Sequence, residues 1–160
     1  MTDTLVSPGA HGVAMPVPAT SFAGVAELCR HAFGFTFLTV LENHPARQEI
    51  RRVFSSHPQD YPTGRFKPMG GTPWGAVVLE AGQSWLGEGE EAIRWAFPDA
   101  DLILGLGCYC CACAPVLDRG RVIGVLSLNG PAGAYRPGDL GPLGLLAGLL
   151  TEPLGQVSAR

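Results

Sequence analysis

Apolar residues recur along this chain at two different spacings, and the switches between them outline helices and strands. From Phe22 the apolar positions Val25, Ala26, Cys29, Ala32 and Phe33 form one stripe at helical period. Thr20 or Ser21 can cap the start of that helix, and Gly34 its end. The β-branched and aromatic run Phe35 to Leu41 predicts a strand, and Glu49 to Ser55 its partner, across a connection containing Pro45. His57 to Pro73 is rich in Pro and Gly and keeps no period. It reads as a long loop, and loops of that length in compact domains are commonly functional. Thr72-Pro73-Trp74 is a cap residue followed by a proline at the first helical position, opening a short helix to Glu80. Gln83 to Leu86 predicts a brief strand, Glu90 to Phe97 a helix stopped by Pro98, and Asp99 to Leu106 a further turn.

The stretch from Gly107 to Pro131 organises the rest. Two apolar runs flank the short polar segment Asp118-Arg119-Gly120-Arg121, the pattern of an antiparallel hairpin with a tight reversal. The second run, Val122 to Leu128, is interrupted only by Gly124 and Ser127 and suits a strand inside a sheet. Asp139 can cap a last helix, with Pro142 in the tolerated first turn. Leu140, Leu143, Leu145, Leu146, Leu149 and Leu150 make that helix apolar on more than one face. A single sheet covers one face, so the remainder is expected to meet the first helix or a second copy of the chain.

Length changes this picture little: 160 residues at 46% hydrophobic suit one domain that buries roughly 70% of its unfolded surface. The domain is expected over residues 20–156, with a flexible arm at 1–19, where Pro and Gly are frequent, and a tail at 157–160. A formal charge of -3 gives no basic footprint, so nucleic acid is not an expected partner. The apolar run Leu143 to Leu150 is far short of the ~20 residues of a membrane span. The N-terminus has neither a basic segment nor a continuous apolar one, which argues against secretion. A cytoplasmic location is the expectation.

Four of the five cysteines lie between Cys108 and Cys113. In an extended strand side chains alternate, so Cys111 and Cys113 are expected on one face and Cys108 and Cys110 on the other. Positions two apart are about 6.5–7 Å apart at Cα, at or beyond the reach of a relaxed disulfide. Thiolates suit zinc, copper(I) or iron–sulfur clusters, but paired C-x-x-C spacing is absent and no histidine follows at finger spacing. Three readings stay open for Cys108, Cys110, Cys111 and Cys113: packing or pocket lining, redox-responsive thiols, and metal ligation.

Ala114-Pro115-Val116-Leu117, a polar turn, Arg121 through Leu128, and Tyr135-Arg136-Pro137-Gly138-Asp139-Leu140 opening the last helix together resemble the GAF domain. Gly75 to Gln83 extends the resemblance upstream, and it spans roughly Phe22 to Leu154. It implies an α/β (α+β) fold: a central antiparallel sheet of GAF/PAS type, the N- and C-terminal helices on one face, and a ligand pocket on the other. It further implies a sensory module that binds a small molecule and signals to a partner, here expected in trans. The extra apolar faces of the first and last helices lead to the expectation of homodimerisation through them. Free methionine-(R)-sulfoxide reductases are standalone GAF-fold enzymes that use cysteines, and a thiol-dependent redox enzyme of that kind is the alternative. The cysteines which that family carries before and within the first central helix are missing from Phe66 to Gly71 and Thr72 to Gly75. Its hairpin carboxylates are replaced by Cys111, Ser127 and Asn129, which removes a general acid.

Within that architecture Tyr61, Phe66, Met69, Trp74, Trp95, Phe97 and Tyr109 are expected to cap the open sheet face. Asn129 and the segment Cys111 to Cys113 would supply the few fixed polar groups of an apolar pocket. Any one of these aromatics can equally close a helix-on-sheet core, and Trp85 has nothing to separate it from core. Lys67, the only lysine, and Arg65 can meet an anionic ligand. Glu88, Glu90 and Glu91 suit a helix N-terminus. His11, His31, His44 and His57 are scattered and suggest no triad. There is no phosphate loop or complete dinucleotide fingerprint, and no cofactor can be named.

Overall fold

Residues of alternating polarity pair into a six-stranded, wholly antiparallel sheet in the computed structural model, which describes residue 18 and residues 20–160. The expected arm at 1–19 lies, apart from Pro18, outside the described residues. The strands are β1 (Phe37–His44), β2 (Glu49–Ser55), β3 (Phe66–Pro68), β4 (Trp85–Glu88), β5 (Cys110–Asp118) and β6 (Arg121–Gly130). Their spatial order is β3-β2-β1-β6-β5-β4, which makes the two longest strands, β5 and β6, a hairpin near one side. The reversal uses Arg119 (φ 51°) and Gly120 (φ 78°), both left-handed. Two consecutive positive φ values match the strand twist of a tight hairpin.

One sheet face is covered by α1 (Phe22–Ala32), α5 (Leu140–Gly148) and α6 (Thr151–Ser158). The predicted cap is present: Gly24 N–H donates to Ser21 Oγ at 2.9 Å. Val25, Ala26 and Cys29 of α1 pack with Leu143, Ala147, Leu150 and Leu154 on Leu38, Val40, Leu126 and Leu128 of the sheet. The opposite face carries α2 (Pro73–Gly75) with its π-helical continuation Ala76–Glu80, α3 (Glu90–Ala96), α4 (Ala100–Gly105) and the loop around Tyr61. The period-2 rule divides the central strands as expected. Phe37 and Leu41 of β1, and Val125 of β6, turn to this second core.

The structure corrects the sequence reading in five places. β1 begins at Phe37, not Phe35, because Gly34 (φ 69°) still belongs to the helix end. It runs on to His44 because Arg51 neutralises Glu42 within the sheet. β4 sits two residues later than expected, since Gln83 N–H bonds the Val77 carbonyl and completes the preceding helix end. Part of the long loop forms β3, paired with β2 through only three residues, too few to leave a period. Cys108 precedes β5, and Gly107 (φ 79°) and a Cys108 N–H to Ile103 carbonyl bond place it at a helix end. It therefore packs in the second core with Cys111 and Cys113, while Cys110 faces the helices. Finally, Asp139 lies in a 3-10 turn (Pro137–Asp139), where its carboxylate accepts from Arg136 N–H at 2.8 Å. The last helix is divided into α5 and α6 at Leu149–Leu150.

α6 reaches Ser158, whose hydroxyl donates to Glu42 Oε1 at 2.7 Å. Arg51 Nε donates to the other oxygen of Glu42 at 2.8 Å, and His44 Nε2 lies 3.0 Å from it. The Glu42 side chain is buried, so this cluster fastens the end of the chain's last helix to the middle of the sheet.

Candidate functional site

Between the sheet and the elements over its second face lies a cavity of about 40 Å³. Its floor is β1, β2 and β6, through Phe37, Thr39, Leu41, Ile50, Arg52, Ser127 and Asn129. Its cover is Tyr61, Lys67, Met69, Trp74, Phe97, Asp99 and Ile103. Local chemistry fixes that cover. Thr72 caps α2 by accepting from Gly75 N–H at 3.0 Å while its hydroxyl donates to the Met69 carbonyl at 2.6 Å. A Cβ at Gly75 would stand 2.2 Å from that same carbonyl, so only glycine lets Trp74 ride this close to the loop. Arg52 Nη1 donates to the Pro62 carbonyl at 2.9 Å and Gly64 N–H to the Arg52 carbonyl at 2.8 Å, which anchors the loop over β2. Tyr61 stacks on Phe37 with ring centroids 4.4 Å apart, and the Arg52 guanidinium carbon lies 4.7 Å from the Tyr61 centroid.

The cavity wall is polar in an unusual way. Arg52 Nε, Tyr61 Oη, Trp74 Nε1 and Asn129 Oδ1 are buried and have no hydrogen-bond partner. Trp74 Nε1 has the Cys113 sulfur beside it. The other three belong to residues that line the cavity, and none has a partner among the described residues. Leaving such a group unpaired costs about 1–3 kcal/mol, so folded proteins rarely keep several together. Arg52 is 8% exposed, and no carboxylate lies within ion-pair distance among the described residues. Burial pulls its pKa down from the ordinary arginine value, against the attraction of Asp99. Asp99 itself is engaged, accepting from Lys67 Nζ at 2.7 Å. Burial, and then the Asp99 charge, push the Tyr61 phenol above its usual range, so it keeps its proton.

Outside the cavity lies a more open groove of about 300 Å³ lined by Asp60, Pro62, Arg65, Phe66 and Leu102. Arg52, Tyr61, Lys67 and Asp99 line both spaces and form the wall between them.

Of the residues expected at the site, Tyr61, Met69, Trp74, Phe97 and Asn129 line the cavity. Phe66, 41% exposed, lines the outer groove beneath the guanidinium groups of Arg47 and Arg51. Trp95, 46% exposed, stacks on Trp85, and Tyr109 is 38% exposed; neither borders the cavity. Cys111 and Cys113 lie one strand beyond the floor, fully buried behind Ser127, whose Oγ is 3.6 and 3.4 Å from their sulfurs. Their sulfurs are 3.6 Å apart. All five cysteines are free and buried. Burial, and then Cys113 beside it, hold the Cys111 thiol well above its ordinary pKa, and burial raises Cys110 to about 11. Among the described residues no three His, Cys, Asp or Glu side chains converge as a metal site requires. The cysteines proposed as redox or metal ligands are split between the two sheet faces.

Arg52, Asp99, Thr39 and Ser127 were not singled out from the sequence. A signal existed for two of them. Arg52 shares a face with Ile50, and Ser127 and Asn129 share one with Val125, so a polar residue falls where the alternation calls for an apolar one. Asp99 carried no such mark, because its partner Lys67 is 32 residues away.

A sheet with the terminal helices on one face and a covered, polar-studded cavity on the other is an α+β domain with a candidate small-molecule site. The chain belongs to the GAF domain family, whose model matches residues 18–151. That family comprises small-molecule-binding sensory modules of many signalling proteins. Among solved structures the fold is similar to the GAF domain of a two-component sensor histidine kinase from Bacillus halodurans (15% identity, 91% of this chain and 98% of that one, TM-score 0.66). It is similar also to the GAF domain/HD domain protein from Geobacter sulfurreducens (12% identity, 86% and 92%, TM-score 0.68). A third similar structure is free methionine-R-sulfoxide reductase from Neisseria meningitidis with its substrate (19% identity, 83% and 75%, TM-score 0.63). No curated protein matches the chain significantly. Among the described residues no helix is long and apolar enough to cross a membrane.

Proposed function

We propose that this chain is a sensory domain that binds a small polar molecule in the cavity under Tyr61 and Trp74 and regulates a partner. The observation that carries this reading is the set of unpartnered groups on one cavity, Arg52 Nε, Tyr61 Oη and Asn129 Oδ1. Each is unfavourable in the empty domain and favourable once a ligand supplies the missing partner. Native mass spectrometry of freshly purified protein tests it: a retained small molecule, released on unfolding, is expected. A mass equal to the bare chain, together with no thermal shift across a broad metabolite library, would refute it.

A thiol reductase is supported less well. Its nucleophile must reach the substrate as a thiolate, whereas Cys111 and Cys113 are covered and do not border the cavity. Free thiols suit a reducing cytoplasm. We assign a second copy of the chain to the outer face of α5 and α1, where Leu145 is 79% and Leu28 37% exposed. Light scattering at micromolar concentration should give a dimer that Leu145→Glu makes monomeric; a monomeric native chain would refute the assignment.

A further inference from the structure

Resting on that binding reading, we infer that the cavity takes a short monocarboxylate bearing a hydroxyl group, a hydroxy acid of two to four carbons. The charges on the wall come first. Lys67 and Asp99 are matched one to one at 2.7 Å, so the two cancel. Arg52 remains as the one net charge of the three, a buried cation that feels Asp99 but has no carboxylate in ion-pair contact among the described residues. Bringing an isolated cation out of water is costly, and a single negative charge offsets it where a neutral molecule does not. A dianion would exceed what Arg52 alone supplies.

The shape of the free donor set narrows the anion. Arg52 Nη1 is committed to the Pro62 carbonyl, which leaves Nε without a partner on a residue that lines the cavity. A guanidinium edge matches a planar carboxylate. The Tyr61 hydroxyl, still protonated, adds a second donor against the same wall as Arg52. Asn129 makes the opposite demand, because its unpartnered Oδ1 requires a donor from the ligand. A hydroxyl meets that demand without adding a second positive charge beside Arg52.

Size and polarity complete the description. The cavity of about 40 Å³ has room for a few water-sized groups, far below pockets of roughly 300 Å³ and more that hold drug-sized ligands. Phe37, Leu41, Ile50, Met69 and Phe97 would enclose a short carbon chain between the carboxylate and the hydroxyl.

Isothermal titration of the full chain with lactate, glycolate, lactamide, propionate and inorganic phosphate tests the inference. Lactate or glycolate should bind. Lactamide, which keeps the shape and loses the charge, should bind about 100-fold more weakly. Propionate, which loses the hydroxyl, should bind about tenfold more weakly than lactate. Arg52→Gln should abolish the preference for lactate over lactamide, with near-ultraviolet circular dichroism confirming its fold. The comparison of acid with amide on the native chain does not depend on that variant. Lactamide equal to lactate, phosphate preferred to both, or no binding by any hydroxy acid would overturn the inference. A neutral, cationic or larger molecule found by native mass spectrometry would overturn it too, while leaving the sensory reading in place.

Discussion

Removing one oxygen atom from Tyr61 should make the empty protein more stable and the binding protein worse. In Tyr61→Phe the stacking on Phe37 and the Arg52 guanidinium over the ring both persist, since neither uses the hydroxyl. What disappears is a buried hydroxyl with no partner. Relief of that group is worth about 1–3 kcal/mol. Against it stand the few dispersion contacts of one oxygen, roughly 0.5 kcal/mol or less. The net gain is about 0.5–2.5 kcal/mol, or a rise in Tm of about 1–10 °C for a domain of this size. The assay is calorimetry on native and variant protein, freed of retained ligand by unfolding and dialysis, with and without lactate. The native chain should gain more from the ligand than the variant does, by about tenfold in apparent affinity. A variant whose empty-state Tm falls by several degrees would show that the hydroxyl is already bonded. The case for a vacant polar site would then collapse.

Three other outcomes follow from the buried Glu42, from Gly124 and from the cysteines. Burial alone would raise the Glu42 pKa, yet the bonds from Ser158, His44 and Arg51 outweigh it and hold the carboxyl below its ordinary value of 4.5. Stability from this cluster is therefore complete above that value and lost as pH falls through the lower folded pKa. Glu42→Gln should cost about 1–3 kcal/mol at pH 7 and flatten the acid limb of a Tm-against-pH curve; an unchanged limb would refute this. At Gly124 a Cβ would stand 2.4 Å from the Leu41 carbonyl oxygen and 2.6 Å from Leu154 Cδ1. Gly124→Ala should thus lose about 1–3 kcal/mol in urea unfolding, and an equal midpoint would contradict the close approach of β1 to β6. Since all five cysteines are buried, a thiol reagent should find almost none in the native chain and five after denaturation; fast reaction of even one native thiol would reopen the redox reading.

Local signals carried the frame of the fold and long-range ones did not. The β5–β6 hairpin was legible because two apolar runs bracket Arg119-Gly120, and both residues do adopt the left-handed conformation such a turn requires. Ser21, Thr72 and the stripe on α1 were legible for the same reason, each being a pattern within one turn of helix. Cys108 was misplaced because alternation was extended past the true start of β5, across Gly107. The site was legible as to its apolar cover and not as to its charge. Arg52 in a short strand reads as a solvated residue until loop 57–64 folds over it, and that depends on Pro62 and Gly64 finding β2. Exposed aromatics such as Trp95 and buried ones such as Trp74 differ only in where neighbouring elements come to rest, which a single sequence does not record.

Arg52 on β2, Lys67 on β3, and Tyr61 and Asp99 from the covering loops border both the inner space and the outer groove. Were a guest to pass between the two spaces at this point, the Lys67 and Asp99 heads, each about a third in contact with solvent, would have to swing apart. Side-chain reorientations of this kind take nanoseconds, whereas separating strands takes far longer. A doorway of that kind would let occupancy keep pace with a changing concentration outside, so that the tempo of the response would belong to the affinity of the guest and not to the scaffold around it.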